Sequence, residues 1–234
     1  VDDAIGDVLD YLDEENLANE TLVVYSSDQG WFLGEHGWFD KRWMYEESMR
    51  MPFLIRYPQS IEAGARTDAI INNTDFAPTI IELAGGKTPE YMQGSSFKEI
   101  LETGKEPEDW QQETYYRYWM HMAHKHNNPA HFGIRTKDYK LIFFYGQDYQ
   151  SRDTGEQKWA NNPASMSNFI TPPAWEFYDL RNDPYEMDNR YGQPAYEAII
   201  LQLKNRLKQL RMKVQENDSA FPNIEQVIAE HWND

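Results

Sequence analysis

One stretch constrains this chain more than any other: residues 22–41, which read LVVYSSDQGWFLGEHGWFDK. Leu22, Val23, Val24 and Tyr25 form a β-branched and aromatic run, which predicts a buried strand. The run closes on Ser26, Ser27, Asp28, Gln29 and Gly30. In open α/β sheets, ligands bind beyond the carboxyl ends of the strands, so Asp28 and Gln29 stand where chemistry is usually done. A carboxylate beside an amide carbonyl suits a hard cation such as Ca²⁺, which takes oxygen ligands; the competing reading is a polar turn. Gly30, Gly34 and Gly37 allow the backbone to fold back sharply and approach a ligand closely. Lys41 then ends the loop, either as a compact positive charge holding an anion beside the metal or as an ordinary solvated lysine.

The flanking segments give this stretch a setting. Ile5, Val8, Leu9 and Leu12 recur at helical spacing, predicting an amphipathic helix over residues 2–16. Helix, short polar turn and strand make half of a βαβ unit and imply a parallel sheet with further strands upstream. Residues 53–57 predict a second strand, bracketed by Pro52 and Pro58. A helix is expected from Asp75 or Thr74 as N-cap, stopped by Gly85 and Gly86. Residues 86–112 read as a surface connection, with a domain boundary near 110. Beyond it the pattern turns antiparallel: strands over 114–118, 133–136 and 139–145, the last two joined by a Lys137-Asp138 turn. Residues 146–174 read as a long polar loop. A strand over 176–180 then leads through Asp183-Pro184 to a helix whose apolar positions run from Tyr196 to Val214.

Composition narrows the function classes. With 39 Asp and Glu against 22 Lys and Arg, the formal charge is −17, which argues against nucleic acid as a partner. No apolar run approaches the ~20 residues of a membrane span. The chain begins at Val1 within a predicted helix, and we expect it to be a piece of a longer polypeptide. It contains no cysteine.

Taken together, SDQG, GEHG, FDKR, YEESMRMPFLIRYP and the downstream EFYDLRNDPYEMDN resemble the type I, formylglycine-dependent sulfatases, most of all the branch acting on 6-sulfated glucosamine and related glycosaminoglycan sugars. The likeness spans this chain nearly end to end but only the C-terminal part of the family. It implies an α/β fold: the C-terminal portion of an alkaline-phosphatase-like sandwich (residues 1–110) followed by a small α+β subdomain with an antiparallel sheet (111–234). It also implies a hydrolase of sulfuric esters, with Asp28 and Gln29 as calcium ligands and Lys41 on the sulfate group. The family's nucleophile is a formylglycine made from the Cys or Ser of a C/S-x-P-x-R motif. No such motif occurs here, so the nucleophile is expected from a missing N-terminal half, itself the chain's partner. The implied substrate is a sulfated saccharide, and the implied location is periplasmic, secreted or lysosomal.

The remaining candidates carry two readings each. Asp40 and Arg42 either clamp sugar hydroxyls or pair with each other to hold the loop. His131, in AHFGIRT, resembles a segment that leans into the sugar pocket of glucosamine-type sulfatases. His36 either serves as a general acid or holds its loop by hydrogen bonds. His121, His124, His126 and His131 are numerous enough to suggest zinc, but their spacing is irregular and no Cys accompanies them. Trp119 and Trp175 either stack on a sugar or simply pack. Two alternatives to a sulfatase stay open: a phosphodiesterase or phosphonate hydrolase of the same superfold, and a non-catalytic carbohydrate-binding fragment.

Overall fold

The computed structural model describes residues 1–122, 127–149 and 170–234. In chain order its elements are α1 (Asp2–Glu14), β1 (Val23–Ser26), β2 (Phe32–Leu33), β3 (Phe39–Asp40), α2 (Glu46–Met49), β4 (Phe53–Arg56), α3 (Phe76–Leu83) and α4 (Lys98–Thr103). There follow β5 (Glu113–Tyr118), β6 (His131–Thr136), β7 (Tyr139–Phe144), β8 (Ala174–Asp179), α5 (Glu197–Lys213) and α6 (Pro222–His231). The chain divides into two units, Val1–Gly30 with Arg50–Gln112, and Trp31–Met49 with Glu113–Asp234.

In the first unit β1 pairs with β4, and the pairing is antiparallel, Val24 opposite Ile55 and Tyr25 opposite Leu54. The expected parallel neighbours are not among the described residues, and β1 is correspondingly exposed rather than buried: Val24 and Tyr25 lie 36% and 42% open. Helix α1 buries no residue. Its Ile5 and Leu9 join Val23, Tyr25 and Leu54 along an apolar groove. A strand rich in β-branched and aromatic residues gains little from its side chains until a second layer covers them.

The core of this unit comes from where a surface connection was expected. Phe97, Ile100, Leu101 and Trp110 are buried and pack against Phe53, Ile55, Phe76 and Leu83. Phe53, Phe76 and Phe97 meet edge to face, with ring centroids 5.3–5.7 Å apart, the geometry that aligns ring edges with ring faces. Phe97, Ile100 and Leu101 stand at helical spacing over one short segment among charged residues, and α4 stops at Gly104 in the left-handed region. Asp75 lies fully buried at the start of α3. Its carboxylate accepts the N–H groups of Asn72 (2.7 Å) and Ser95 (2.8 Å) and the amide of Gln111 (2.6 Å). Three donors compensate the buried charge and pin both ends of the 72–111 segment.

The second unit is built on an antiparallel sheet in the order β5-β6-β7-β8. Its strands are covered on both faces. Phe132, Ile134, Leu141, Phe143 and Phe177 pack under Leu203, Leu207, Ile224 and Trp232. The alternate positions Ile142, Phe144 and Tyr178 pack with Phe32, Trp43, Met44 and Tyr45. This two-sided burial explains why β7 reads YKLIFF without polar alternation. Gly133 permits the second layer: a Cβ there would stand 2.3 Å from the Leu141 carbonyl and 2.6 Å from Met44 Sδ. Residues Trp31–Met49 therefore sit on the sheet of the later subdomain, not with the strand that precedes them.

Trp175 and Trp119 resolve as packing residues. Trp175 is buried against Phe143 and Trp232, and Lys204 Nζ lies 4.3 Å from its ring centroid while donating to the Trp232 carbonyl at 2.6 Å. Burial lowers the Lys204 ammonium to about 8. The Arg117 guanidinium lies 3.4 Å from the Trp119 centroid and pairs with Glu216 (2.7 Å) and Asp218 (2.9 Å). Among the described residues no helix is long and apolar enough to cross a membrane.

Candidate functional site

Two loci carry the candidate residues, one in each unit. In the first, β1 ends at Ser26 and delivers Asp28 and Gln29 into a turn. Asp28 is exposed and Gln29 half-buried. Ser27 Oγ donates to the Gln29 carbonyl at 2.8 Å and lies 3.4 Å from Asp28 Oδ1, so the serine ties the turn. A carboxylate and an amide oxygen are hard donors and fit a calcium-type cation. They make up only part of the 6–8 oxygens such an ion takes. Among the described residues no group of three or more His, Asp or Glu side chains gathers to hold a metal unaided.

The second locus is the turn Asp40-Lys41-Arg42. It follows the β2–β3 hairpin, where Gly34 (φ 134°) and Gly37 (φ 74°) occupy conformations that favour glycine. His36 also adopts positive φ, stacks on Tyr45 with centroids 4.6 Å apart, and points Nε2 at Glu47, 3.5 Å away. Its environment is that of a loop-holding residue. Lys41 is half-buried, its Nζ 5.6 Å from the Trp31 ring centroid. Ser48, buried on α2, donates its hydroxyl to the Lys41 carbonyl. Arg42 pairs with Asp40, and the Arg42 carbonyl accepts from the buried Asn128 amide at 3.0 Å. Of the two readings of Asp40 and Arg42, the ion pair is present, and Arg42 keeps 26% of its side chain open.

His131 belongs to the same neighbourhood. Its ring is fully buried, stacked at 5.7 Å on both Trp43 and Tyr116, with Phe144 at 5.0 Å. Nδ1–H donates to the Pro129 carbonyl at 2.8 Å, which leaves Nε2 as an acceptor with no hydrogen-bond partner among the described residues. Burial raises the phenol of Tyr118 to about 12, with Arg42 opposing and Asp40 reinforcing that shift; both charges therefore lie close to the tyrosines that line His131. Sequence reasoning missed Ser48, Asn128, Tyr116 and Tyr118. Nothing local marks them, because their partners are 7 to 86 positions away in Ser48 and Asn128. His121 is buried and its Nδ1 accepts the Ala130 N–H at 3.1 Å. His124 and His126 lie outside the described residues.

Burial holds the His131 imidazole down at about 4, against the opposing effect of the Pro129 carbonyl. Above about pH 6.5 the ring is neutral whether folded or unfolded and pH has no effect through it. As pH falls from 6.5 toward 4 the unfolded chain takes up a proton that the native state refuses, so stability declines by about 3 kcal/mol. Urea midpoints measured from pH 7 to pH 4 are expected to fall accordingly, and His131→Phe is expected to flatten that slope. An unchanged slope in the variant would assign the loss elsewhere.

With this geometry in place, comparison with known proteins is decisive on kinship. A family model described as N-sulphoglucosamine sulphohydrolase, C-terminal, matches residues 34–174 and 165–213. This chain belongs to the sulfatase family. It is 43% identical over 219 residues to an N-acetylglucosamine-6-O-sulfatase of Bacteroides thetaiotaomicron, covering 93% of this chain and 35% of that protein. It is 31% identical over 201 residues to the multifunctional alkaline phosphatase superfamily protein PehA of Trinickia caryophylli, covering 86% of this chain and 36% of that one. A solved structure of a protein in complex with its substrate D-glucosamine-2-N,6-O-disulfate superposes with a TM-score of 0.80 at 42% identity, over 94% of this chain and 40% of that one. A phosphonate monoester hydrolase of Silicibacter pomeroyi shares the fold at a TM-score of 0.69 and 23% identity. The expected family and α/β fold class stand, as does correspondence to the C-terminal part of the family. The chain spans about a third of the length of the curated relatives it matches.

Proposed function

We propose that this sulfatase-family chain forms the C-terminal part of a hydrolase that removes sulfate from a sulfated sugar, 6-sulfated N-acetylglucosamine or a related glycosaminoglycan unit. The observation that carries this reading is the Asp40-Lys41-Arg42 turn: an ammonium flanked by a carboxylate–guanidinium pair, with the Lys41 and Arg42 carbonyls held by buried side chains. An ammonium suits the oxyanion of a sulfate ester. A carboxylate beside a guanidinium suits vicinal sugar hydroxyls, one accepting and the other donating. The 43% identity to an N-acetylglucosamine-6-O-sulfatase supports the choice of sugar.

In this proposal Asp28 and Gln29 would hold a calcium ion, which when bound supplies positive charge against developing anionic oxygens. Lys41 would direct its positive charge toward sulfate oxygens as negative charge builds there, the electrostatic contribution that usually dominates such reactions. Asp40 and Arg42 orient the sugar, while His131, fully buried against Trp43 and Tyr116, backs the turn by packing rather than by touching the sugar, contrary to the substrate contact its sequence context implied. The formylglycine nucleophile would come from the preceding part of a longer polypeptide, and a secreted, periplasmic or lysosomal-type location accompanies the family reading.

The test separates sugar recognition from sulfate chemistry. In the polypeptide that includes the preceding part, Arg42→Ala is expected to lower kcat/KM on 6-sulfated N-acetylglucosamine about 10–100-fold, as loss of a charged hydrogen bond does. On an aryl sulfate lacking the sugar the change should stay within about threefold. Equal losses on both substrates would remove Arg42 from sugar recognition.

A further inference from the structure

The segment EFYDLRNDPYE contributes two glutamates that the proposed chemistry leaves unused, the half-buried Glu176 and the buried Glu186. Both turn toward the strip that carries Lys41. Glu186 is 2% exposed and holds a positive φ of 53°, a conformation rare for a residue with a side chain. Its Oε2 accepts the backbone N–H of Glu46, at the start of α2, at 2.7 Å. Its Oε1 stands 2.6 Å from Nζ of Lys140, which is fully buried and lies 3.0 Å from Glu46 Oε1 as well. Arg135 closes the arrangement with two 3.1 Å bonds to the Glu46 carboxylate. Burial works against the Glu46 anion, yet Lys140 and Arg135 hold its carboxyl at about 2, while burial raises Glu186. Glu176 adds a further tie, accepting the hydroxyls of Tyr45 (2.8 Å) and Tyr178 (3.1 Å).

This ring of charges grips α2 at Glu46, and α2 grips Lys41 through Ser48. Buried ion pairs are an expensive way to gain stability, since apolar replacements of similar volume often do as well. What such a ring does supply is one defined position for the element it holds. We infer that Glu186 and Lys140 are positioning residues that set the Lys41 ammonium in place for the sulfate ester. The inference rests on the function proposed above for Lys41.

The test is a double-mutant cycle in the complete polypeptide, read as sulfate release from 6-sulfated N-acetylglucosamine, with amide exchange of residues 41–49 measured alongside. Glu186→Gln keeps an acceptor for the Glu46 N–H but loses the charge, and it is expected to lower kcat about 10–100-fold, the cost of an ångström-scale misplacement, with KM little changed. In a Lys41→Ala background the same substitution should cost nothing further, because it acts through Lys41. If Glu186→Gln folds poorly, Glu186→Gln combined with Lys140→Met removes both charges and is expected to melt near the parent while showing the same kcat loss. Exchange in residues 41–49 should quicken in either variant, with α6 unchanged. Equal fold-losses with and without Lys41, or full activity in the charge-free pair, would overturn the inference. If the parent releases no sulfate at all, the functional reading fails separately, and unchanged exchange at 41–49 would then reject the positioning role too.

Discussion

Lys41→Ala, in the polypeptide that carries this chain, is expected to lower kcat for sulfate release about 10²–10³-fold, the size of effect seen when one oxyanion-stabilising donor is removed. The loss should fall on kcat more than on KM, because the ammonium meets more negative charge in the transition state than in the bound ester. Lys41 is suited to this task by its setting: half-buried, with its carbonyl fixed by Ser48 and its neighbour's by Asn128. Lys41→Arg is expected to recover only part of the rate, since a planar fork replaces a compact charge on a braced turn. Activity within about threefold of the parent in Lys41→Ala would end the sulfate-binding assignment, because removing an oxyanion donor typically costs about 10²–10³-fold.

Asp28→Ala is expected to weaken calcium binding and lower sulfate release together. Binding raises stability by mass action, and at a calcium concentration 100 times the dissociation constant one site adds about 2.7 kcal/mol. The parent polypeptide should therefore melt higher with calcium than with a chelator, and the variant should lose most of that difference. Asp28→Asn, which keeps an oxygen donor but not its charge, should fall between the two. Sulfate release by Asp28→Ala should drop by at least about 100-fold. A calcium-dependent melting shift equal to the parent's would place the metal on other ligands whatever happened to activity.

Much of the local structure was legible because it depends on neighbours in sequence. The stripe from Tyr196 to Val214 became α5, and the Lys137-Asp138 turn joins β6 to β7. The Asp-Pro turn likewise follows β8 as expected. The misreadings share one cause. Residues 86–112 looked like a connection because Phe97, Ile100, Leu101 and Trp110 are sparse among charges, yet they gather into the core of the first unit. Asp75 does stand at the N-cap of α3 as expected, but its carboxylate serves groups from positions 72, 95 and 111 rather than the helix's own N–H groups.

By itself, then, the sequence determined the chain's kinship and most of its helices and strands, which follow from residue type and local spacing; it also nominated Asp28, Gln29, Asp40, Lys41, Arg42 and His131, a short list that leans on the family resemblance. Only the tertiary structure decided that Trp31–Met49 packs on the sheet of Glu113–Asp234, that Asn128 and Ser48 hold the Lys41 turn, and that His131 is a neutral buried ring. Each of these depends on contacts between residues far apart along the chain, and burial and charge pairing across such distances leave no periodic trace for a linear reading to detect.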